Sequence, residues 1–178
     1  MFAMKIALAV RLPFPRSVVY ATYRDKMLDL VPYMANVRAI ELQSRQDGEA
    51  ETQLVTVWHG GGSIPGPARA FLSEDLLSWT DYATWKSTDF SVDWRTETHA
   101  FTEAVRSGGR NLFLEDGDGT RIESRGELNI DTKQLKGIPS FVAGSIASTI
   151  EDLLGKQIDS NFKEMGAGVS RYLQQQAS

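Results

Sequence analysis

The spacing of hydrophobic and polar positions changes early in the chain. Residues 5–12 alternate and predict a strand, which ends at Pro13 and Pro15 because proline cannot donate to a sheet ladder. From Arg16 the apolar residues recur at spacings of three and four, which predicts a helix. Its apolar face comprises Val18, Val19, Tyr23, Met27, Leu30 and Val31. We expect this helix to break before Pro32, so that residues 32–37 form a second short turn or helix.

The middle of the chain alternates through six further segments. These predicted strands are residues 37–44, 51–59, 76–86, 91–101, 111–116 and 120–131. The connecting pieces, such as "RQDGE", "RSGGR" and "EDGDGT", carry the glycine and aspartate that hairpin turns favour. Because these joints are too short for crossover helices, we expect an antiparallel sheet.

The C-terminal segment returns to helical spacing. From Ile138 to Leu173 apolar residues recur at three and four for about ten turns, on the order of 50 Å. Gly144, Gly155 and Gly166 lie eleven residues apart, close to one line on the helix surface. They either let a strand or loop approach the helix closely or mark bends in it.

These elements together predict an α+β helix-grip fold. A curved, seven-stranded antiparallel sheet wraps around the long C-terminal helix, and two short helices follow the first strand. The 178 residues fit a single domain, 1–178, that is large enough to bury a core without disulfides or metals. We expect an open cavity between the sheet and the helix.

Composition narrows the functional classes. Hydrophobic residues make up 42% and charged residues 24%, as in ordinary globular proteins. The net charge of −4 without a basic stripe argues against nucleic-acid binding. The absence of cysteine, the lack of a signal-peptide pattern and the lack of a long apolar run favour a cytoplasmic protein with no membrane span. The oligomeric state is left open.

The stretch "WHGGGSIPGP", residues 58–67, resembles parts of two kinds of catalytic or binding loop. An HGGG oxyanion hole works with a G-x-S-x-G nucleophile turn, which the chain lacks, and a phosphate loop would lead into a helix. We interpret the stretch as a turn, with a mobile gate at the cavity mouth as the alternative. Trp58 and His59 point to opposite faces of their strand, and we place Trp58 inside.

Metal and cofactor sites are not indicated. His59 and His99 have no ligand spacing between them, and the sequence holds no cysteine. The "EDGDGT" segment, residues 115–120, joins two predicted strands and therefore indicates a hairpin turn and not a calcium loop. We predict no metal, no cofactor and no assembled catalytic residues.

Aromatic side chains give the best indication of a binding wall. Alternation puts Trp79, Asp81, Ala83 and Trp85 on one face of a strand, where large rings beside small residues leave room. The alternative is that the tryptophans only fill the core. The predicted ligand-binding residues are Trp58, Trp79, Asp81, Trp85, Trp94, Leu112, Leu114, Ile122, Leu128, Val142, Ile146 and Ile150.

Asp81 is anomalous on this wall, because a carboxylate among apolar groups needs a partner or a raised pKa. We expect it to form an ion pair, for which Arg95, His99 and Arg69 are the candidates. A hydrogen bond to a ligand and acid or base catalysis are the alternatives. In the opposite register Asp81 would face solvent, and Tyr82 and Thr84 would line the cavity.

The segment "PFPRSVVYATYRDKMLDLVPYMANVRAIELQSRQDGE" resembles the opening of the START-related, Bet v 1-like (SRPBCC) superfamily, particularly its polyketide cyclase/dehydrase and coenzyme-Q-binding branch. The similarity in the order of elements covers the whole chain, but the family has no strict catalytic signature. The resemblance implies a helix-grip domain with an internal cavity for a hydrophobic or amphipathic small molecule.

Two functions follow as hypotheses. The first is a carrier or sensor that binds a lipid, an isoprenoid or a polycyclic aromatic molecule in the cavity. The second is an aromatase, cyclase or dehydratase that acts on a polyketide-like substrate, with Asp81, His99 and Tyr82 as the available acids and bases. A module that binds a protein partner without any small ligand is a third possibility.

Overall fold

The structure, a computed structural model, describes residues 2–177. The strands are Phe2–Leu12 (β1), Val37–Asp47 (β2), Glu51–Gly60 (β3), Ser78–Lys86 (β4), Ser91–Thr98 (β5), Val105–Asp116 (β6) and Gly119–Ile130 (β7). The α-helices are Arg16–Asp25 (α1) and Ser140–Ala177 (α2). Short 3₁₀ turns lie at Met27–Tyr33, Gly66–Ala70, Glu74–Leu77 and Thr132–Gln134.

The seven strands form one antiparallel sheet in the order β1-β7-β6-β5-β4-β3-β2. Consecutive strands from β2 to β7 pair with each other, and β7 closes onto β1, so β1 and β2 are the two edges. The sheet curves, and α2 lies along it with its closest approach to β1. The predicted α+β helix-grip architecture is therefore confirmed.

The first helix ends earlier than predicted. α1 stops at Asp25 because Lys26 leaves helical geometry, at φ −116° and ψ 19°, while its N–H still donates to the carbonyl of Thr22. The following 3₁₀ turn, Met27–Tyr33, contains Pro32. The prediction of a break before Pro32 is therefore wrong, since the proline is accommodated inside the second short helix.

The "RSGGR" segment is strand and not a turn, which is the largest error in the predicted boundaries. It lies inside β6, where Gly109 faces Gly126 of β7. A Cβ on Gly109 would overlap the Gly126 backbone, so these glycines let β6 and β7 approach closely. The true joint between β5 and β6 is residues 99–104, and β4 starts at Ser78 after a 3₁₀ turn.

Two of the three spaced glycines of α2 contact β1, and the third faces open space. A Cβ on Gly155 would lie 3.0 Å from Sδ of Met4, and one on Gly166 would lie 2.9 Å from Cγ2 of Val10. These two glycines therefore allow β1 to approach α2 closely, which is the first of the two interpretations offered for the helix glycines. A Cβ on Gly144 would meet nothing within 4 Å.

The N-terminal half of α2 covers a solidly packed part of the core. Leu76, Ile130, Ile146, Ala147 and Ile150 belong to one cluster of buried hydrophobic residues and are at most 7% exposed. We call these five residues the packed end. Aliphatic side chains of similar shape interdigitate there and exclude water.

Candidate functional site

A cavity of about 210 Å³ lies between the concave face of the sheet and the middle of α2. From the helix side, Leu154, Ile158, Phe162 and Met165 border it. Successive members of this set are three or four residues apart, which is the spacing of one helix face. The sheet contributes inward-facing residues of β1 and β3–β7.

Seven of the predicted ligand-binding residues line this cavity. They are Trp58, Trp79, Asp81, Trp85, Trp94, Ile122 and Leu128. All four tryptophans of the chain are therefore on the cavity wall. The choice of Trp58 as the inward residue is right, because Trp58 is 6% exposed whereas His59 points away from the cavity. The contacts of these residues with a ligand stay a prediction.

Leu112 and Leu114 do not line the cavity, and this correction follows from the register of β6. Phe113 pairs directly with Ile122 of β7, and both side chains point inward. Asn111, two residues earlier, shares that face. The larger apolar side chain of Phe113 was the sequence signal that could have set this register.

The predicted helix residues lie too far toward the N-terminus of α2. Ile146 and Ile150 are in the packed end, and Val142 borders a separate surface groove with Phe71. The cavity begins one turn later, at Leu154. Periodicity identifies the buried face of a long helix but not which turn meets the hollow of the sheet.

The tryptophans are held in defined positions by stacking and hydrogen bonding. The rings of Trp58 and Trp79 stack with centroids 5.7 Å apart and planes 15° apart. Trp58 Nε1 donates to Thr56 Oγ1 at 2.9 Å, and Trp94 Nε1 donates to Asn111 Oδ1 at 3.0 Å. These contacts fix three of the four rings.

A polar row crosses the concave face between the tryptophans. Thr56, Asp81, Thr96 and Ser107 are direct cross-strand neighbours on β3, β4, β5 and β6. Thr96 and Ser107 hydrogen-bond each other through their hydroxyls, and Thr56 accepts the indole N–H described above. We call these four residues the polar row.

Asp81 is the member of the polar row without a protein partner. Within residues 2–177 its carboxylate makes no hydrogen bond and no ion pair. Burial raises the pKa of Asp81 from its ordinary value of 3.8 to about 7. A carboxyl group with such a pKa can either donate or accept a hydrogen bond near neutral pH.

The expectation that Asp81 forms an ion pair is therefore wrong. Arg95 bonds Glu97 on its own strand at 2.7 Å, and His99 contacts Thr80 Oγ1 at 3.0 Å. Arg69 donates to the backbone carbonyl of Ile64 at 3.1 Å. Arg95 on β5 and His99 in the loop after it are not among the residues that line the cavity.

The glycine stretch after Trp58 allows close packing at the cavity edge. A Cβ on Gly60 would overlap the amide of Gln157, which lines the cavity, and would lie 2.6 Å from the Leu77 carbonyl oxygen. The Gly61 N–H donates to the carbonyl of Asn36 at 2.8 Å. The stretch is thus an extended strand end and loop that contact α2. Its motion as a gate stays a prediction.

The two histidines take part in separate surface contacts. His59 Nε2 lies 2.9 Å from Glu41 Oε2, and His99 bonds Thr80 as described. Among residues 2–177 no group of three or more His, Cys, Asp or Glu side chains could hold a metal ion. In that same range no helix is long and apolar enough to cross a membrane.

Comparison with known proteins identifies the fold. No family model matches the chain, and no curated protein matches its sequence. Solved structures do match. An aromatase/cyclase from Streptomyces sp. R1128 is 12% identical with a TM-score of 0.67, covering 97% of this chain and 96% of that one.

Two further solved structures are similar to this chain over most of its length. A protein from Thermus thermophilus is 19% identical with a TM-score of 0.64, covering 93% of this chain and 97% of its own. A START superfamily protein from Mycobacterium smegmatis is 9% identical with a TM-score of 0.53, covering 94% and 98%. The chain therefore shares its fold with these three structures, one of which is a START superfamily protein, as the resemblance in sequence implied.

Proposed function

We propose that the protein binds a small hydrophobic or amphipathic molecule in the cavity and acts as a carrier or sensor of it. The observation that carries the proposal is a cavity of about 210 Å³ lined by four tryptophans. Domain interiors are normally packed to the density of organic crystals, so an apolar hollow of this size is available for a ligand.

The cavity volume favours a compact ligand. An engineered apolar cavity of about 150 Å³ binds benzene, so a hollow somewhat larger than that accepts one ring or two fused rings. A long lipid, an isoprenoid chain or a larger polycycle would require α2 to move away from the sheet. Burial of the ligand contributes roughly 25 cal/mol per Å² of apolar surface. Of the three ligand classes predicted from sequence, a small fused aromatic molecule fits best.

The fold supports the same proposal by analogy. One structural neighbour is an aromatase/cyclase and another is a START superfamily protein. Fold similarity at this low identity does not transfer an activity, because one fold hosts many functions.

A cyclase or dehydratase is the second candidate, favoured by one observation. The pKa of about 7 suits Asp81 to transfer a proton to or from a ligand in the cavity. The other two acids or bases considered, His99 and Tyr82, are not among the residues that line the cavity. An enzyme would therefore depend on Asp81 alone, and turnover of an aromatic polyketide substrate that persists in Asp81→Asn would contradict it.

Native mass spectrometry of freshly purified protein tests the proposed binding. Ala83 lines the cavity, and Ala83→Leu places three further carbon atoms inside it. We expect an added mass on the wild type that disappears in Ala83→Leu and survives in the control Ala7→Leu, on an exposed position of β1. A bound molecule that survives Ala83→Leu would place it elsewhere and contradict the proposal.

A further inference from the structure

The charge distribution on the cavity wall is one-sided. Among the described residues that line it there is one carboxylate, Asp81, and no lysine, arginine or histidine. The titratable groups on the lining are Asp81 and Tyr23, and burial raises the pKa of the Tyr23 hydroxyl far above neutrality. Asp81 is therefore the only source of formal charge among these lining residues at neutral pH.

The neighbours of Asp81 cannot neutralise that charge. Thr56 and Thr96 flank it on β3 and β5 and carry none. From α2, Gln157 and Asn161 face the cavity, and both are uncharged. The carboxylate is thus exposed to the cavity interior with no compensating cation among the described lining residues.

A second acceptor is also left without a partner. Oδ1 of Asn161 is buried and makes no hydrogen bond to any described residue. Asn161 lies on the α2 side of the cavity, opposite the sheet that carries Asp81. Buried polar groups normally find partners, so this oxygen can accept a hydrogen bond from a ligand in the cavity, and Nε1 of Trp85 on the same wall, also unpaired among the described residues, can donate one.

The aromatic rings of the cavity wall can also attract a positive charge. The face of an indole ring carries negative charge density and attracts cations, and tryptophan does so more strongly than the other aromatic residues. Four indoles line this cavity together with the carboxylate. An indole that presents its face to a ligand favours a positive charge, as the carboxylate does.

We propose that the cavity selects small aromatic molecules that carry a protonated amine, with the ammonium group bound at Asp81 and the ring packed among the tryptophans. This inference rests on the proposed function and specifies its ligand class. An ammonium group offers up to three N–H donors, whereas a hydroxyl offers one. An anionic ligand would bring a second negative charge beside an uncompensated carboxylate.

Three probes of nearly equal size separate these possibilities: 1-naphthylmethylamine, 1-naphthalenemethanol and 1-naphthoate. They keep the ring constant and change the head group from cation to neutral to anion. Isothermal titration at about pH 7.5, where an alkylamine is protonated and a carboxylate is ionised, measures the dissociation constant of each. We expect the amine to bind the wild type about tenfold more tightly than the alcohol, and the naphthoate most weakly.

The variant Asp81→Asn keeps the shape of the side chain and removes its charge. We expect it to lose the preference for the amine and to bind the alcohol within about threefold of the wild type. The control is Asp93→Asn on β5, which removes a carboxylate that pairs with Arg110 and Lys86 outside the cavity. It should retain the wild-type preference.

Two other results would contradict either the amine preference alone or ligand binding as a whole. If the alcohol binds the wild type as tightly as the amine, or if Asp81→Asn keeps the amine preference, the inference fails while the proposed function stands. If none of the three probes binds, the proposed function fails for compact aromatic ligands, and the inference fails with it.

Discussion

The two regions beneath α2 differ in how they are filled. Under its N-terminal half, Ile146, Ala147 and Ile150 pack against sheet and loop residues that are nearly inaccessible to solvent. Under its middle, the same helix faces the same sheet across a cavity of about 210 Å³. The helix presents large side chains to both regions, and at the cavity these include Phe162, Gln157 and Asn161. The hollow therefore comes mainly from the sheet.

The sheet side explains the hollow. At the packed end it supplies aliphatic residues such as Ile130, which interlock with isoleucines of the helix. At the cavity it supplies flat indoles beside small residues such as Ala83 and Ser107. Rings held by stacking and hydrogen bonds cannot collapse into the space that their small neighbours leave. The result is a hollow that ordinary side-chain relaxation does not close.

The largest expected effect comes from truncating isoleucines in the two regions. Ile150 is fully buried, whereas Ile158 is partly buried and borders the cavity. We expect Ile150→Ala to lower the free energy of unfolding by roughly 4 kcal/mol and Ile158→Ala by roughly half as much, because Ile158 already lacks contacts on one side. Urea denaturation measures both values. Equal losses would show that the cavity is filled in solution.

The next effect concerns pH. The Asp81 pKa of about 7 exceeds its unfolded value near 3.8, so the folded state holds the proton more tightly. Wild-type stability should therefore fall relative to Asp81→Asn as pH rises from about 4 to about 7, and then stay constant. The difference between the two pKa values corresponds to roughly 4 kcal/mol, and because Asp81 is partly accessible through the cavity, we expect Asp81→Asn to be more stable by roughly 3 kcal/mol at pH 8. Thermal unfolding across this range measures the difference.

Asp93→Asn is the matched control with the opposite sign. Hydrogen bonds from Arg110 and Lys86 lower the pKa of Asp93 to about 2, so its contribution is present above pH 4 and is lost as pH falls toward 2. Because this ion pair is well exposed, the substitution should cost about 1 kcal/mol or less at pH 7. A wild-type stability that does not change relative to Asp81→Asn between pH 4 and pH 8 would contradict the burial of Asp81.

Enlarging an alanine in each region sharpens the comparison further. Ala147 is fully buried in the packed end, and Ala83 borders the cavity. We expect Ala147→Leu to destabilise the protein by about 1–3 kcal/mol through overpacking, and Ala83→Leu to change stability by less than about 1 kcal/mol. Chemical denaturation of the two variants measures this. A larger loss from Ala83→Leu than from Ala147→Leu would refute the difference between the regions.

The smallest expected effect separates the helix glycines. Gly144→Ala meets no neighbouring atom and should raise stability by about 0.5–1 kcal/mol, since alanine restricts the unfolded chain and favours helix. Gly166→Ala would press against Val10 and should gain nothing or lose stability. Differential scanning calorimetry of the two variants can resolve their difference. Equal gains would mean that β1 does not contact α2 closely there.

The sequence predicted the fold better than the site, for physical reasons. Each strand and the long helix bury one face, and this leaves a period of two or of three to four in the sequence. All seven strands and the long helix could therefore be predicted. The start of β6 could not be predicted, because Gly108 and Gly109 have the sequence pattern of a turn but lie inside the strand. Leu112 and Leu114 alternate with Asn111 and Phe113, and the alternation alone did not show which of the two faces points inward.

Asp81 illustrates the other limit of sequence reasoning. Its inward position could be predicted from alternation with Trp79 and Trp85. Its lack of a partner could not, because that depends on where Arg95 and His99 point in three dimensions. The turn of α2 that faces the cavity was equally inaccessible, since it is set by how the helix crosses the sheet.

A crystal structure of the protein with 1-naphthalenemethanol tests the central claim most directly. The account predicts density for the naphthalene ring between the sheet and α2, in contact with the tryptophans and within hydrogen-bond distance of the polar row. A structure in which side chains occupy that space, or in which the ring binds only at the protein surface, would contradict it.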